Sequence, residues 1–466
     1  MAWAVSLRNR QSLTGGATTW RTMSTTPNRL ERFRGCLLGL AVGDALGAPL
    51  IGMKSAHVRQ VYGEIDDYVD AALAWKGRPY RWALPGLYTN NTQRALAMAD
   101  VLARDGRCEP RALAEVLVEM ADAHVEGGAC GCHRRVSRNF RAALERMRLP
   151  EGDPSACGGT SPGCGAAARV APLALFYAGQ PDPLARAVIE TTLVTHRDAR
   201  SLAAALAVAL AVAQAVGQVG NPSRRSRTAE AARLLAEQMK DAWQSLPAIS
   251  QPLQTGFQSV PLALDLLPRL LEEGDDTLAY ESIVREANRC APERPVHDPS
   301  EGFAPAAAST ALYLALSGRS FPEAVAAAVS LGRDAHDVGA MVGAIVGARE
   351  GVEAIPAPWI SRLRNAGQVR LRADNLERGA VDYSTWRGIV ELESEATAAE
   401  ERERRRLAER WEKEGVLVKK PPRAKPARQP DLGFAPPPEK WLRRQSFERD
   451  REKRKQRKKD KGGRRE

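Results

Sequence analysis

One stretch of sequence, Val338-Gly-Ala-Met-Val-Gly-Ala-Ile-Val-Gly-Ala-Arg349, decides how the chain packs. Its glycines, Gly339, Gly343 and Gly347, are four residues apart and therefore lie on one stripe of a helix. Because glycine has no Cβ, another backbone can approach such a stripe closely. The spacing predicts a buried helix with a close neighbour.

The rest of the body is also predicted to be helical. From residue 31 to about residue 397, apolar residues recur mostly at helical spacing, and alternating runs of β-branched residues are scarce. Thr92–Ala103 and Phe321–Leu331 follow this pattern, and the first of them would be capped at Asn91 or Thr92 and closed by Gly106. We therefore expect an all-α fold, a compact domain of many helices.

Charged residues are distributed unevenly along the chain of 466 residues. Residues 401–466 hold 25 Lys and Arg against 12 Asp and Glu, which leaves 43 against 44 for the remainder. The formal net charge of +12 is thus a property of the tail. We predict a leader over 1–30, a helical domain over 31–397, and a segment over 398–466 made of a charged helix, a Pro-rich linker and a basic, largely disordered tail.

The two ends leave alternatives open. The leader has four Arg and no acidic residue, which is typical of a targeting segment or of a mis-assigned start, with Met23 as a second start. The last part of the chain, from Lys440 to Glu466, carries many cations and two aromatic residues. It either contacts nucleic acid or an acidic surface, or it is a solvated extension.

Composition also bears on location. The longest nearly uncharged apolar run, Leu202–Val216, is shorter than the roughly 20 residues that cross a bilayer, so we expect no membrane span. The seven Cys are odd in number and have no framework spacing, which indicates reduced thiols. A cytoplasmic protein is expected.

Four segments carry a resemblance to a known family. They are Arg34-Gly-Cys-Leu-Leu-Gly-Leu-Ala-Val-Gly-Asp-Ala-Leu-Gly-Ala48, Tyr88-Thr-Asn-Asn-Thr-Gln93, Gly163-Cys-Gly-Ala-Ala-Ala-Arg-Val-Ala-Pro-Leu173 and Ser330-Leu-Gly-Arg-Asp-Ala-His-Asp-Val-Gly339. In this order they resemble the motifs of the ADP-ribosylglycohydrolase family, which includes dinitrogenase-reductase-activating glycohydrolases and J1 crystallins. The resemblance covers about residues 31–365. It implies an all-α fold and hydrolysis of the glycosidic bond in an ADP-ribosylated protein or a related ADP-ribosyl compound.

The resemblance also implies a metal centre. Active members hold two Mg2+ ions with a Thr-Asp-Asp cluster and an Asp-x-Asp-Thr cluster, and Mg2+ favours oxygen ligands in an octahedral array. The matching positions in this sequence are Thr89, Asn90, Asn91, Asp334, His336 and Asp337.

The sequence departs from the family pattern at most of these positions. Asn90 and Asn91 replace two carboxylates with neutral amides, and His336 replaces a third. Ile51 stands where the family has Glu. Imidazole suits Zn2+, Cu2+ or Ni2+ better than Mg2+. The Mg2+ pair is therefore expected to be lost or replaced by one other divalent ion.

The substrate side of the site is expected to persist. Neutral amides can hydrogen-bond ribose hydroxyls without a metal. The Gly-rich loop at 157–165 can offer backbone N–H groups to a pyrophosphate. Arg333, a permanent cation where the family has Gly, would occupy the vacated metal position. We assign substrate binding to Asn90, Asn91, Gly163, Cys164, Gly165, Arg169 and Arg333.

Three functions follow from this sequence. The chain is a hydrolase with an altered metal site, or a catalytically inactive pseudoenzyme that binds ADP-ribose or a nucleotide without metal. In both cases the partner is ADP-ribose or an ADP-ribosylated protein. The third alternative is a structural, crystallin-like protein or an interaction protein tethered by its tail, which would respond to no nucleotide.

Overall fold

The computed structural model describes residues 26–149, 152–217, 224–244, 262–291 and 295–418. Most of the predicted leader, and the Pro-rich linker and basic tail after Val418, lie outside these residues. Within them, every regular element except one four-residue strand is a helix, which confirms the all-α prediction. The elements are α1 (Arg29–Gly47), α2 (Ser55–Tyr62), α3 (Asn90–Asp105), α4 (Pro110–Asp122), β1 (Ala129–Cys132), α5 (Arg138–Met147), α6 (Ala171–Phe176), α7 (Pro181–Leu193), α8 (Ala199–Gly217), α9 (Arg224–Gln244), α10 (Leu267–Glu273), α11 (Asp276–Ala287), α12 (Ala304–Leu316), α13 (Phe321–Val329), α14 (Ala335–Glu350), α15 (Ala357–Arg362), α16 (Ala366–Arg378) and α17 (Ile389–Lys413).

Helices α1 and α14 cross in backbone contact at the centre of the fold. A Cβ added at Gly39 would overlap the carbonyl oxygen of Gly343, and one added at Gly343 would overlap the carbonyl oxygen of Gly39. The same reciprocal pairing of glycines recurs one turn to either side. The predicted close neighbour of the glycine stripe is therefore confirmed, and it is α1.

The other core helices pack around this crossing. Helices α8, α12 and α13 contact α14. The Arg32 guanidinium of α1 donates hydrogen bonds to the carbonyl oxygens of Ala215, at 2.9 Å, and Ala348, at 3.2 Å. These carbonyls lie at the C-terminal ends of α8 and α14, where unpaired carbonyl groups and the helix dipole favour a cation. Arg32 thus joins the ends of three helices.

Two helical segments are long and apolar enough to cross a membrane by length and composition. They are Arg29–Leu50 and Ala199–Gly217, and 94% and 72% of their most apolar windows are buried in the structure. The length argument made from the sequence therefore does not exclude them. Their burial against other helices is that of core helices in a soluble protein, which pass the same test.

Helix α17 crosses the boundary that composition predicted at residue 397. It is one continuous helix that buries Glu393 on one side of the boundary and Glu400 on the other. After the helix, the backbone N–H of Val418 donates to the carbonyl oxygen of Gly77 at 2.7 Å. The body therefore continues to at least Val418.

The glycine crossing predicts a large difference between two Gly→Ala substitutions. Gly343→Ala should lower the free energy of unfolding by about 1–3 kcal/mol or more, because the overlapping atom is backbone and cannot rotate away. Gly367→Ala in α16 is the matched control, since no atom lies within 4 Å of the added Cβ. It should be neutral or stabilising by up to about 1 kcal/mol. Denaturant unfolding of both variants measures the difference, and equal effects would contradict the backbone contact.

Candidate functional site

The site forms where the C-terminal end of α1 meets the N-terminal ends of α3 and α14. Asp44, in the last turn of α1, is fully buried. Its carboxylate accepts hydrogen bonds from the backbone N–H groups of Thr89 and Thr92, at 3.0 and 3.1 Å, and from their hydroxyls, at 2.8 and 2.7 Å. Burial raises the pKa of Asp44, while His336 and these hydrogen bonds lower it. Asp44 therefore fixes the start of α3.

The first residues of α3 carry the two amides that replace acids. Thr89 is the N-cap, and its hydroxyl oxygen accepts from the backbone N–H of Asn91 at 3.3 Å. The cap predicted at Asn91 or Thr92 was therefore placed two or three residues too late. Asn90 has different partners from Asn91: its Nδ2 donates to the carbonyl oxygens of Arg134 and Arg135 at 2.8 and 2.9 Å.

Asn91, Asp337 and Cys164 form one chain of hydrogen bonds. Asn91 Nδ2 donates to Asp337 Oδ1 at 2.5 Å, and Cys164 Sγ donates to Asp337 Oδ2 at 2.9 Å. Burial, and next the charge of Asp337, raise the pKa of Cys164 well above its usual value, so the thiol keeps its proton. Both oxygens of Asp337 are therefore occupied by donors from the protein.

The remaining acid cluster lies at the start of α14. Asp334 Oδ2 accepts from the backbone N–H of Gly302 at 2.9 Å. Burial raises the pKa of Asp334, and His336 opposes the shift. His336 Nε2 lies 3.5 Å from Asp337 Oδ1. The other ring nitrogen, Nδ1, is buried and has no hydrogen-bond partner in the described part of the chain.

Arg333 does not occupy the position that the sequence suggested. Its Nε donates to Asp298 Oδ2 at 2.6 Å, and 29% of its side chain is exposed. Its backbone has φ +56°, a left-handed conformation that favours glycine. The structure thus places Arg333 in a partly exposed ion pair, bonded to neither Asn91 nor Asp334 within the described residues.

Arg94 is the cation beside the amides, and the sequence analysis missed it. It donates from NH2 to Asn91 Oδ1 and from Nε to the Asn90 carbonyl oxygen, both at 2.9 Å. Its guanidinium also lies 4.9 Å from the centroid of the Phe140 ring. Burial lowers the pKa of Arg94 to about 10, so it remains charged at neutral pH. The sequence did contain a signal for this contact. Arg94 follows Asn91 by three residues and Asn90 by four, and residues at these spacings are neighbours on one face of a helix.

The Gly-rich loop uses several of its amides internally. The backbone N–H groups of Gly158, Gly159 and Gly163 donate to carbonyl oxygens of Leu193, Thr195 and Ser161. These three amides are therefore not available to a pyrophosphate, contrary to the sequence expectation for the loop. A short 3-10 helix, Cys164–Arg169, begins within the loop and includes Gly165.

Arg169 lies beneath this loop. It is 1% exposed and donates to the carbonyl oxygen of Gly165 at 3.1 Å and to Thr195 Oγ1 at 2.7 Å. Burial, and next the charge of Arg94, lower its pKa well below the usual value. The geometry gives Arg169 a supporting contact within the protein rather than an open face toward a ligand.

The donor set does not fit a pair of Mg2+ ions. Mg2+ demands near-octahedral oxygen coordination and is usually held by one or two carboxylates together with waters and substrate phosphates, so each carboxylate must have an oxygen to offer. Here the two carboxylates of the α14 cluster already accept hydrogen bonds from three donors. Among the described residues, no group of three His, Cys, Asp or Glu side chains is placed to hold a metal.

Comparisons with known proteins identify the family to which the sequence motifs pointed. The sequence profile of the ADP-ribosylglycohydrolase family matches residues 25–387. An ADP-ribosyl-[dinitrogen reductase] glycohydrolase of Rhodospirillum rubrum is 25% identical over 73% of this chain and 92% of its own length. The ADP-ribosylarginine hydrolase Tri1 of Pseudomonas putida is 25% identical over 76% of this chain and 81% of its own. A solved structure described as an ADP-ribosylglycohydrolase-related protein complex superposes with a TM-score of 0.52 at 27% identity, over 76% of this chain and 99% of that one. The chain belongs to the ADP-ribosylglycohydrolase family.

Proposed function

We propose that this chain binds the ADP-ribosyl group of a modified protein and has lost the di-magnesium hydrolysis of its family. The observation that carries the proposal is the Asn91–Asp337–Cys164 hydrogen-bond chain. The resemblance implies that Asp337 would be a metal ligand. In this chain its two carboxylate oxygens instead accept hydrogen bonds from the Asn91 amide and the Cys164 thiol. Two of the relatives are named for acting on ADP-ribosylated proteins, which supports this class of ligand.

The arrangement of Asn90 supports ribose binding. Its Nδ2 is held by two backbone carbonyls, and its Oδ1 has no hydrogen bond within the described residues. The carbonyl oxygen is therefore the atom left to accept a hydrogen bond from a ribose hydroxyl.

The acids of the site have hydrogen-bond partners within the protein, without a divalent ion. Asp44 accepts four hydrogen bonds, and Asp337 accepts two. The buried Arg94 cation is bonded to Asn91 and attracts both of these acids. Buried carboxylates are stable when they are hydrogen-bonded and near a cation.

A second candidate is a hydrolase with one transition-metal ion. The buried His336 Nδ1 without a partner favours it, because imidazole nitrogen is a ligand for Zn2+ or Ni2+. A metal-dependent gain in ADP-ribose affinity would distinguish this candidate from the first.

Calorimetric titration of ADP-ribose into the full chain tests the proposal. We expect the same Kd with chelator, with Mg2+ and with Zn2+, because protein donors already satisfy the carboxylates. Asn90→Ala should weaken binding about tenfold, the effect of one lost hydrogen bond in a buried site. Absence of binding under all conditions would contradict the proposal, and so would Mg2+-dependent release of ADP-ribose from an ADP-ribosylated arginine peptide.

Restoring one acid should make the stability depend on metal. Asn91→Asp places a carboxylate against Asp337 Oδ1, and like charges at this distance repel. Arg94 offsets part of the repulsion, so we expect a loss of about 1 kcal/mol in chelator and a recovery with Mg2+. Thermal unfolding with and without Mg2+ measures both effects.

The double variant Asn91→Asp with Asp337→Asn is the control for this substitution. It exchanges the amide and the acid, and should recover most of the stability without metal. The wild-type unfolding temperature should not respond to Mg2+, and a Mg2+ response of the wild type would contradict the interpretation.

A further inference from the structure

Helix α17 reaches the back of the candidate site although the family match ends at residue 387, before it begins. Glu393 of this helix is 0% exposed. Its carboxylate accepts hydrogen bonds from Tyr88 Oη at 2.7 Å, Gln93 Nε2 at 2.9 Å and Arg134 NH2 at 2.6 Å. A single side chain outside the matched region therefore joins three residues of the body.

Two of these donors flank the site segment. Tyr88 precedes the N-cap of α3, and Gln93 follows the residues held by Asp44. Burial, and next the charge of Glu393, raise the pKa of Tyr88 well above its usual value, so its hydroxyl remains a donor. The segment from 88 to 93 is thus held by a buried carboxylate on each side.

The third donor connects Glu393 to Asn90. The backbone carbonyl oxygens of Arg134 and Arg135 accept the hydrogen bonds that orient the Asn90 amide. Arg134 is itself positioned by Nε, which donates to the Tyr88 carbonyl oxygen at 3.0 Å, and by its N–H, which donates to Gln93 Oε1 at 3.0 Å. Displacing Arg134 would therefore change where Asn90 Oδ1 points.

The ion pair between Arg134 and Glu393 holds this connection in place. Their side chains are 2% and 0% exposed. A buried cation that loses its partner is strongly unfavourable, so Arg134 would move if the charge of Glu393 were removed. Thr397, one turn later on α17, accepts from Arg134 NH1 at 2.9 Å and donates to the Cys132 carbonyl oxygen at 2.7 Å.

We propose that Glu393 is a positioning residue of the ADP-ribose site, acting through Arg134 on the Asn90 amide. The ribose hydroxyl that would donate to this amide is assigned to the distal ribose, because that sugar carries the glycosidic bond at which the family acts. The inference rests on the proposed function. Helix α17 would then contribute to ligand binding, because its Glu393 side chain positions Arg134, and the Arg134 carbonyl oxygen orients the Asn90 amide.

The experiment compares the affinities of the full chain for ADP-ribose and for ADP, which lacks the distal ribose. Glu393→Gln should weaken ADP-ribose binding about tenfold and change ADP binding less than twofold. Glu391→Gln is the matched control, because Glu391 lies on the same helix with 64% of its side chain exposed and should change neither affinity. Asn90→Ala combined with Glu393→Gln should bind ADP-ribose no more weakly than Asn90→Ala alone.

Deuterium exchange of the peptide spanning residues 88–94 supplies a readout that needs no ligand. Exchange should be faster in Glu393→Gln and unchanged in Glu391→Gln. If Glu393→Gln does not fold, Thr397→Val keeps the ion pair and should show the same selective loss, about threefold for ADP-ribose.

The outcomes separate the two claims. Equal weakening of ADP-ribose and ADP would mean a purely structural role for Glu393, and unchanged affinities would also overturn the inference while leaving the proposed function standing. If the wild type binds neither ligand, the proposed function fails. The assignment of Glu393 to an ADP-ribose site then fails with it, whereas unchanged exchange at 88–94 in Glu393→Gln overturns the inference on its own.

Discussion

The backbone contact between α1 and α14 determines where every group of the site lies. Glycines on both helices remove the side chains that would separate them, so the end of α1 reaches the start of α14. Gly47 lies against the backbone of His336, and Asp44 is one turn away. The hydrogen bonds that Thr89 and Thr92 donate to Asp44 then bring α3 to the same point. Three motifs that are far apart in sequence meet because two backbones touch.

Protein groups serve as hydrogen-bond partners for the acids of the site. The family motifs imply a cluster of acids that metal ions neutralise, whereas here amides, a thiol and Arg94 surround the acids that remain. Each of these groups satisfies an oxygen that would otherwise be buried without a partner. Substituting Asn for Asp also removes the repulsion that a metal-free acid cluster would have. Within the described residues, the partners of these acids therefore come from the protein itself.

The sequence predicted those features of the fold that follow directly from the type and spacing of residues. The spacing of Gly339, Gly343 and Gly347 predicted a close helical neighbour, and apolar periodicity predicted the helices. Sequence could not place long side chains, because an arginine or glutamate reaches several partners and tertiary contacts decide among them. Arg333 was therefore expected in the site but pairs with Asp298. Glu393 lies in a charged helix whose composition resembles a solvated segment, and nothing local distinguishes it from its exposed neighbours.

The glycine crossing separates the scaffold from its chemistry. The contact that builds the centre of the fold is made by main-chain atoms, and it uses none of the side chains that would bind a ligand or a metal. Side chains at the starts of α3 and α14 can consequently be exchanged while the crossing of α1 and α14 is retained. A lineage with such a framework can abandon a reaction and retain its shape, and a lost activity leaves little trace in the overall form of the protein.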